Sequence, residues 1–386
     1  MQANETGTST STSTSTGTST STSTSTSSNA QQIKMLGQGG FGCVYYRGFS
    51  PKGAVLSGEY ITKITRREKS REVRIGKLVS KLPRYGEFFA VVLKVENVEL
   101  ANVDDAEHLL AECEIVKKKN NKPDEKFQLL TQVYVPNVTF VELVSVPTYG
   151  IGFSNLLNVL ISCREHLLLG IARLQTEARI VHFDIKAENV VFNTLAKNPV
   201  IIDFGLSFVM DDVVRALSDG GYADDYDRVV ALRQFFYGFF PDYSAWPIEV
   251  HIACWIVAET GSSVPNPGAD GGRIAAVLSA EALQSLISAY ISGHAFIKYQ
   301  PEAYKTACYE RFMARYTQSA VGRPGLDVIR DYVKDDGWKQ WDLYAASVMF
   351  LDVLEIARHR MGSIPAEYAA QTDAFSKSLQ IDAGFI

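Results

Sequence analysis

Apolar and polar positions alternate along this chain from about Gln32 onward, with a period that changes from stretch to stretch. IKMLGQGGFGCVYYRGF, GAVLSGEYITKI and FFAVVLKVENVEL are short apolar stretches broken by turn residues, which predicts strands. Between the second and third lies SREVRIGKLVSKL, where Val73, Ile75, Leu78 and Val79 form an apolar stripe at helical spacing. Residues 101–136 are polar, with Asp104, Asp105, Glu107, His108 and the run KKKNNKPDEK, and read as an insertion or loop. VYVPNVTFVELVSV predicts a strand running into an extended connection, and LLNVLISCREHLLLGIARLQTEA is long enough for a buried helix. Residues 178–206 then give an apolar run, a polar hairpin, a second apolar run and Asp203-Phe204-Gly205. The expected fold class is α+β, with strands concentrated early and helices late.

Residues 1–30 have no such pattern, being almost wholly alternating Ser and Thr. They carry no apolar surface to offset the entropy of ordering, so a disordered tail is expected, its hydroxyls available as phosphate acceptors. The full chain has 386 residues, 46% of them hydrophobic, enough for two lobes each with a core. A net charge of −5 with interspersed signs argues against nucleic acid as a main ligand and against a membrane-seeking basic face. No apolar run approaches the roughly 20 residues that span a bilayer. Cys43, Cys113, Cys163, Cys254 and Cys308 are scattered without a CxxC pair, which argues against zinc and against a disulfide framework, and favours a reducing, cytoplasmic setting.

Three groups of residues carry candidate chemistry. Gly37, Gly39, Gly40, Phe41, Gly42 and Val44 fall in a hairpin, where missing side chains let backbone N–H groups approach phosphates and an aromatic tip cover them. A dinucleotide fold would instead need those glycines between a strand and a helix. Lys63 sits in an alternating strand, and Glu72, only nine positions later, is its partner if the strand-to-helix connection is compact. The third group is Asp184, Lys186 and Asn189 followed by Asp203, an acid, a cation, an amide and a second acid around two apolar runs, as metal-bound triphosphate chemistry requires. His166 and His182 read as structural residues.

In HFDIKAEN and IDFG the chain resembles the catalytic loop and magnesium-binding motif of eukaryotic-type protein kinases. Together with Gly37, Gly39, Gly42, Val44 and Lys63, the resemblance covers residues 33–210. The Asp-x-Lys-x-x-Asn loop looks like the serine/threonine branch, and YITKI, REVRIGKLVSKL and HFDIKAEN are also similar to the compact kinases of large nucleocytoplasmic DNA viruses. The resemblance implies a bilobal fold: a small β-rich lobe over 31–145 and a larger, mostly helical lobe over 146–386 with a helical insertion near 250–340. It implies ATP and Mg2+, protein hydroxyls as acceptors, Asp184 as the group taking the hydroxyl proton, and Lys186 steadying the transferring phosphoryl. Asn189 and Asp203 would hold magnesium, Glu142 would open the hinge over the adenine, and Val191 would floor its pocket.

The pattern also departs from the family. Phe183 stands where many kinases carry an arginine that reads a loop phosphate, so that switch is not available. Ile61 replaces a small residue near the adenine. A long, acidic loop is expected after Gly205, leading to Trp246-Pro247-Ile248-Glu249, the nearest counterpart of an Ala-Pro-Glu, and Asp342 heads a helix expected to hold the catalytic-loop backbone. Asp270 is a candidate helix cap. Two other readings stay open: a pseudokinase scaffold binding partners, and a small-molecule kinase.

Overall fold

A computed structural model describes residues 33–39, 42–66, 70–99, 110, 112–117, 127–145, 153–218, 220–236, 238, 240–262, 275–361, 364 and 366–386. The Ser/Thr tail, Gly40, Phe41 and Asp270 lie outside them. The first half of the described chain is a five-stranded antiparallel sheet: β1 (Lys34–Gly39), β2 (Gly42–Tyr46), β3 (Tyr60–Thr65), β4 (Val92–Val98) and β5 (Phe127–Val133), in spatial order β1-β2-β3-β5-β4. Helix α1 (Ser70–Val79) lies against β4 and buries Ile75 and Val79. It comes close because position 76 is glycine, where a Cβ would meet Val92 O at 2.5 Å. The sheet's apolar face, with Tyr45, Phe49, Ile64, Phe127 and Leu129, has a core of its own.

Two expectations fail here. FQLLTQV, placed in a polar loop, is β5, which pairs with both β3 and β4. The charged run before it conceals a seven-residue strand whose Phe127, Leu129 and Leu130 are buried. Cys43 and Cys113 form a disulfide across 70 positions. Both are fully buried in the sheet's core, where β2 meets the short helix α2 (Glu114–Lys117), a proximity that sequence spacing cannot reveal. The bond also removes the cysteine argument for a reducing compartment.

The second half is mostly helical. β6 (Asn137–Thr139) and α3 (Phe140–Ser145) lead to the long helix α4 (Phe153–Glu177). Two nested hairpins follow: β7 (Ile180–Val181) pairs with β10 (Phe208–Val209), and between them β8 (Val190–Asn193) pairs with β9 (Asn198–Ile201) and with β6. The segment after β10 is not the loop expected, for it folds into α5 (Met210–Leu217) and α6 (Asp225–Leu232), the latter capped by Asp224 accepting from Asp227 N. Then come α7 (Ile248–Ser262), α8 (Ala280–Gly293), α9 (Glu302–Ser319), α10 (Gly325–Val333), α11 (Lys339–Met361) and α12 (Ala366–Asp382). Leu283, Phe312 and Ile329 from the middle helices join Leu160, Ile171 and Phe350 in one apolar core, and Ile33–Ile386 is a single unit. The architecture is α+β, a small antiparallel sheet joined to a larger helical lobe. Among the described residues no helix is long and apolar enough to cross a membrane.

Candidate active site

The nested hairpins decide where the polar residues go. Asn189 immediately precedes β8 and Asp203 follows β9 by one residue, while Val190 pairs with Ile201, so the two sites lie at the same end of one hairpin. Ile202 N donates to Asn189 O at 2.9 Å and fastens them. β9 also bonds the other lobe, through Ala90 N to Ile201 O at 3.0 Å and Ile201 N to Phe88 O at 2.8 Å.

The loop between β7 and β8 is held from below by α11. Asp342 is fully buried and accepts from His182 N at 2.7 Å and Phe183 N at 2.9 Å. Burial pushes its carboxyl up to about 6, against the pull of those two N–H groups. His182 is also fully buried; its Nε2 lies 3.1 Å from Ile202 O and its ring meets Phe204 edge-on at 4.8 Å. Burial lowers its pKa to about 4, which keeps it neutral and structural, as its sequence context suggests. Phe183 and Asp203 both have left-handed backbone, φ 68° and 56°. For an aromatic residue that conformation is an outlier, held here by Phe183's packing on Trp246 and Phe208.

Asp184 is the centre of the loop and is buried. Asn189 Nδ2 donates to its Oδ2 at 2.7 Å and to its backbone O at 2.9 Å. Lys186 Nζ is 2.9 Å from Oδ1, which also accepts from the Tyr243 hydroxyl. Burial raises the Asp184 pKa to about 6, with Lys186 opposing. Since Asn189 turns its NH2 to Asp184, its amide oxygen is the end left for a cation, and with the Asp203 carboxylate it makes a pair of hard oxygens, the donor set magnesium takes alongside phosphate and water. The residues present therefore fit Mg2+.

From the upper lobe, Lys63 Nζ reaches Asp203 Oδ1 at 3.1 Å and Glu72 Oε1 at 3.6 Å. Burial works against the Lys63 charge, but the two carboxylates outweigh it and hold its pKa above the ordinary lysine value. Burial likewise pushes Asp203 up, yet Lys63 and the Gly205 N–H leave it below the usual carboxylate range. The nine-residue separation of Lys63 and Glu72 is thus long enough for the pair to meet.

In the hairpin, Val44 faces Lys63 on β3 and Gly37 on β1. Gly42 is required by close approach, since a Cβ there would fall 2.2 Å from Ile64 O. Gly37 has open space around it and Gly39 ends β1 opposite Gly42. Val191 is buried with Ala90 and Val200, and Val135 packs on them.

Glu142 is a correction. It lies not in an extended connection but in the first turn of α3, exposed, where it forms a capping box: Thr139 N donates to Glu142 Oε2 at 2.7 Å and Glu142 N to Thr139 Oγ1 at 3.0 Å. The T-x-x-E pattern was visible in the sequence. The connection leaving β5 is 134–136 instead. Tyr243 was missed altogether, because a lone tyrosine before Trp246-Pro247 carries no motif.

No protein-family model matches the chain, and no curated protein matches it. Among solved structures it is similar to the Cydia pomonella granulovirus kinase PK-1, at 15% identity over 78% of this chain and 93% of that one, with a TM-score of 0.34. Likeness at that level says nothing about activity.

Proposed function

We propose that this protein is a serine/threonine protein kinase, moving the γ-phosphoryl group of ATP to protein hydroxyls. One observation carries the reading: a buried carboxylate bracketed by a cation and an amide, Asp184 with Lys186 and Asn189, is fastened beside Asp203, which holds Lys63 from the opposite lobe. Phosphoryl transfer is mostly positioning and charge stabilisation, and this arrangement supplies both.

In this reading the backbone of Gly37, Gly39 and Gly42 covers the phosphates, Gly40 and Phe41 are assigned with them from the sequence alone, and Val44 and Val191 border the base. Lys63, oriented by Glu72, contacts the α- and β-phosphates. Asn189 and Asp203 hold Mg2+, which when bound neutralises charge on the triphosphate. Asp184 orients the acceptor hydroxyl and takes its proton, and Lys186 follows the phosphoryl group. Lys186 at the second position after the acid favours protein serine and threonine over small-molecule alcohols. Ionised Asp184 is the working form, so with its pKa raised to about 6 the rate is expected to fall as pH drops through that value.

A peptide array incubated with γ-labelled ATP tests the acceptor class. Label on serine and threonine peptides is expected. Turnover of sugar or amine alcohols with no peptide labelled would assign the site to small-molecule phosphorylation.

A further inference from the structure

The hydroxyl on Asp184 comes from outside the Asp-x-Lys-x-x-Asn loop, and its surroundings give it a role. We propose that Tyr243 is a positioning residue of the transfer site, its phenol hydroxyl holding the Asp184 carboxylate and the Lys186 ammonium in register for the acceptor. The inference rests on the phosphoryl-transfer reading above.

A carboxylate offers about four lone-pair sites. On Asp184, Asn189 takes one on Oδ2, while Lys186 and Tyr243 take the two on Oδ1. One site, on Oδ2, is left for an incoming hydroxyl. The Tyr243 oxygen also lies 3.3 Å from Lys186 Nζ, so a single hydroxyl accepts from the cation and donates to the acid. Its loss would leave Asp184 held by Asn189 and Lys186 alone, and Lys186 by Asp184 alone.

Tyr243 is itself fixed. Its N donates to Phe240 O at 2.9 Å, and its O accepts from Trp246 N at 3.2 Å, closing a turn just before α7. Its ring meets Trp246 edge-on at 4.8 Å, and Trp246 is buried, with Nε1 donating to Phe183 O at 2.8 Å. Phe183 in turn packs on Trp246 at 4.8 Å. The circuit runs from Asp184 through its neighbour Phe183 to Trp246 and Tyr243, and back to Asp184. An apolar and hydrogen-bonded contact thus joins the catalytic loop to the segment before α7 at the position where an arginine would need a phosphate. Buried His251, whose Nε2 lies 3.1 Å from Trp246 O, backs the tryptophan from α7.

The test compares the full-length wild type with Tyr243→Phe and Tyr243→Ala, using γ-labelled ATP, Mg2+ and the best serine peptide from the array. Phenylalanine keeps the ring on Trp246 and removes only the hydroxyl. Tyr243→Phe is expected to lower kcat about tenfold, as loss of a charge-assisted hydrogen bond does, with KM for ATP within about twofold of wild type. The Tm of Tyr243→Phe should stay at the wild-type value, so that the loss falls on kcat alone. Tyr243→Ala, which also removes the ring from Trp246, should show a larger fall in kcat. A fall in kcat accompanied by a matching rise in KM for ATP, or by a lowered Tm, marks a merely structural role and overturns the assignment. So does an unchanged or raised kcat in Tyr243→Phe, the raised value meaning that the hydroxyl obstructs the acceptor. A wild type that labels no acceptor sinks the transfer reading and the inference together, whereas an active wild type with an indifferent Tyr243→Phe sinks the inference alone.

Discussion

Lys63 and Asp184 show what single residues contribute. Each is buried with its charge, which is costly unless partners are fixed in place, and each has them: Glu72 and Asp203 for the lysine, Lys186, Asn189 and Tyr243 for the aspartate. If Asp203 and Asn189 hold magnesium, ATP with Mg2+ should raise Tm in the wild type, and the magnesium-dependent part of that rise should vanish in Asp203→Asn. An equal rise in both proteins would remove Asp203 from the metal site. The two hairpin glycines separate on sterics alone. Gly42→Ala drives a Cβ into Ile64 O and should cost about 1–3 kcal/mol in denaturant unfolding, whereas Gly37→Ala, with nothing within 4 Å, should cost about 0.5 kcal/mol or less. That Asp184, Lys186, Asn189 and Asp203 would lie together was readable from a local motif. Lys63 and Glu72 were readable as a pair because strand and helix patterns flank them. Tyr243 was not, since its role depends on a turn far along the chain folding back onto Asp184.

Elements explain why those residues converge. The β8–β9 hairpin sets Asn189 against Asp203 by register, β7–β10 closes around it, and Asp342 on α11 holds the loop between. Asp342→Ala would strand two buried N–H groups and should destabilise the protein by about 2–5 kcal/mol, with loss of transfer activity that Asp342→Asn restores only in part. The helix was visible as a pattern, but β5 was hidden between charged runs, and α5 and α6 lay in a segment whose acids suggested a loop. The Cys43–Cys113 bond closes a 70-position separation and should contribute about 4 kcal/mol in the chain-entropy picture. Peptide mapping without reductant should recover the linked pair, and reductant should lower Tm. Five alkylatable thiols in the unreduced, unfolded protein would contradict it.

For the whole molecule, buried histidines set the response to acid. Burial lowers the pKa of His182 and His251 to about 4 and of His294 to about 3, so between these values and the ordinary 6.5 the unfolded chain binds more protons. Their contribution is present above pH 6.5 and is lost as pH falls, at about 1.4 kcal/mol per pH unit for each. Asp184 and Asp342, raised to about 6, work the other way below pH 6. Asp352, also raised by burial, adds to them, but the histidine loss begins at pH 6.5, before the carboxylates take up protons, so Tm should fall between pH 7 and pH 6 in calorimetry; a rise would show that these histidines are not buried neutral. The overall α+β division was legible, because strand and helix periods segregate along the chain. The joining of the 280–333 helices to the main core was less so, since amphipathic helices do not name their partners.

In the proposed function one site, built by Asp184 beneath Lys63 and Asp203, transfers phosphate. Its most direct measurement is label transfer from γ-labelled ATP with Mg2+ to an acceptor protein, run in parallel with Asp184→Asn. Label is expected with the wild type, with a loss of at least about a hundredfold in the variant. Equal label from both proteins would contradict it.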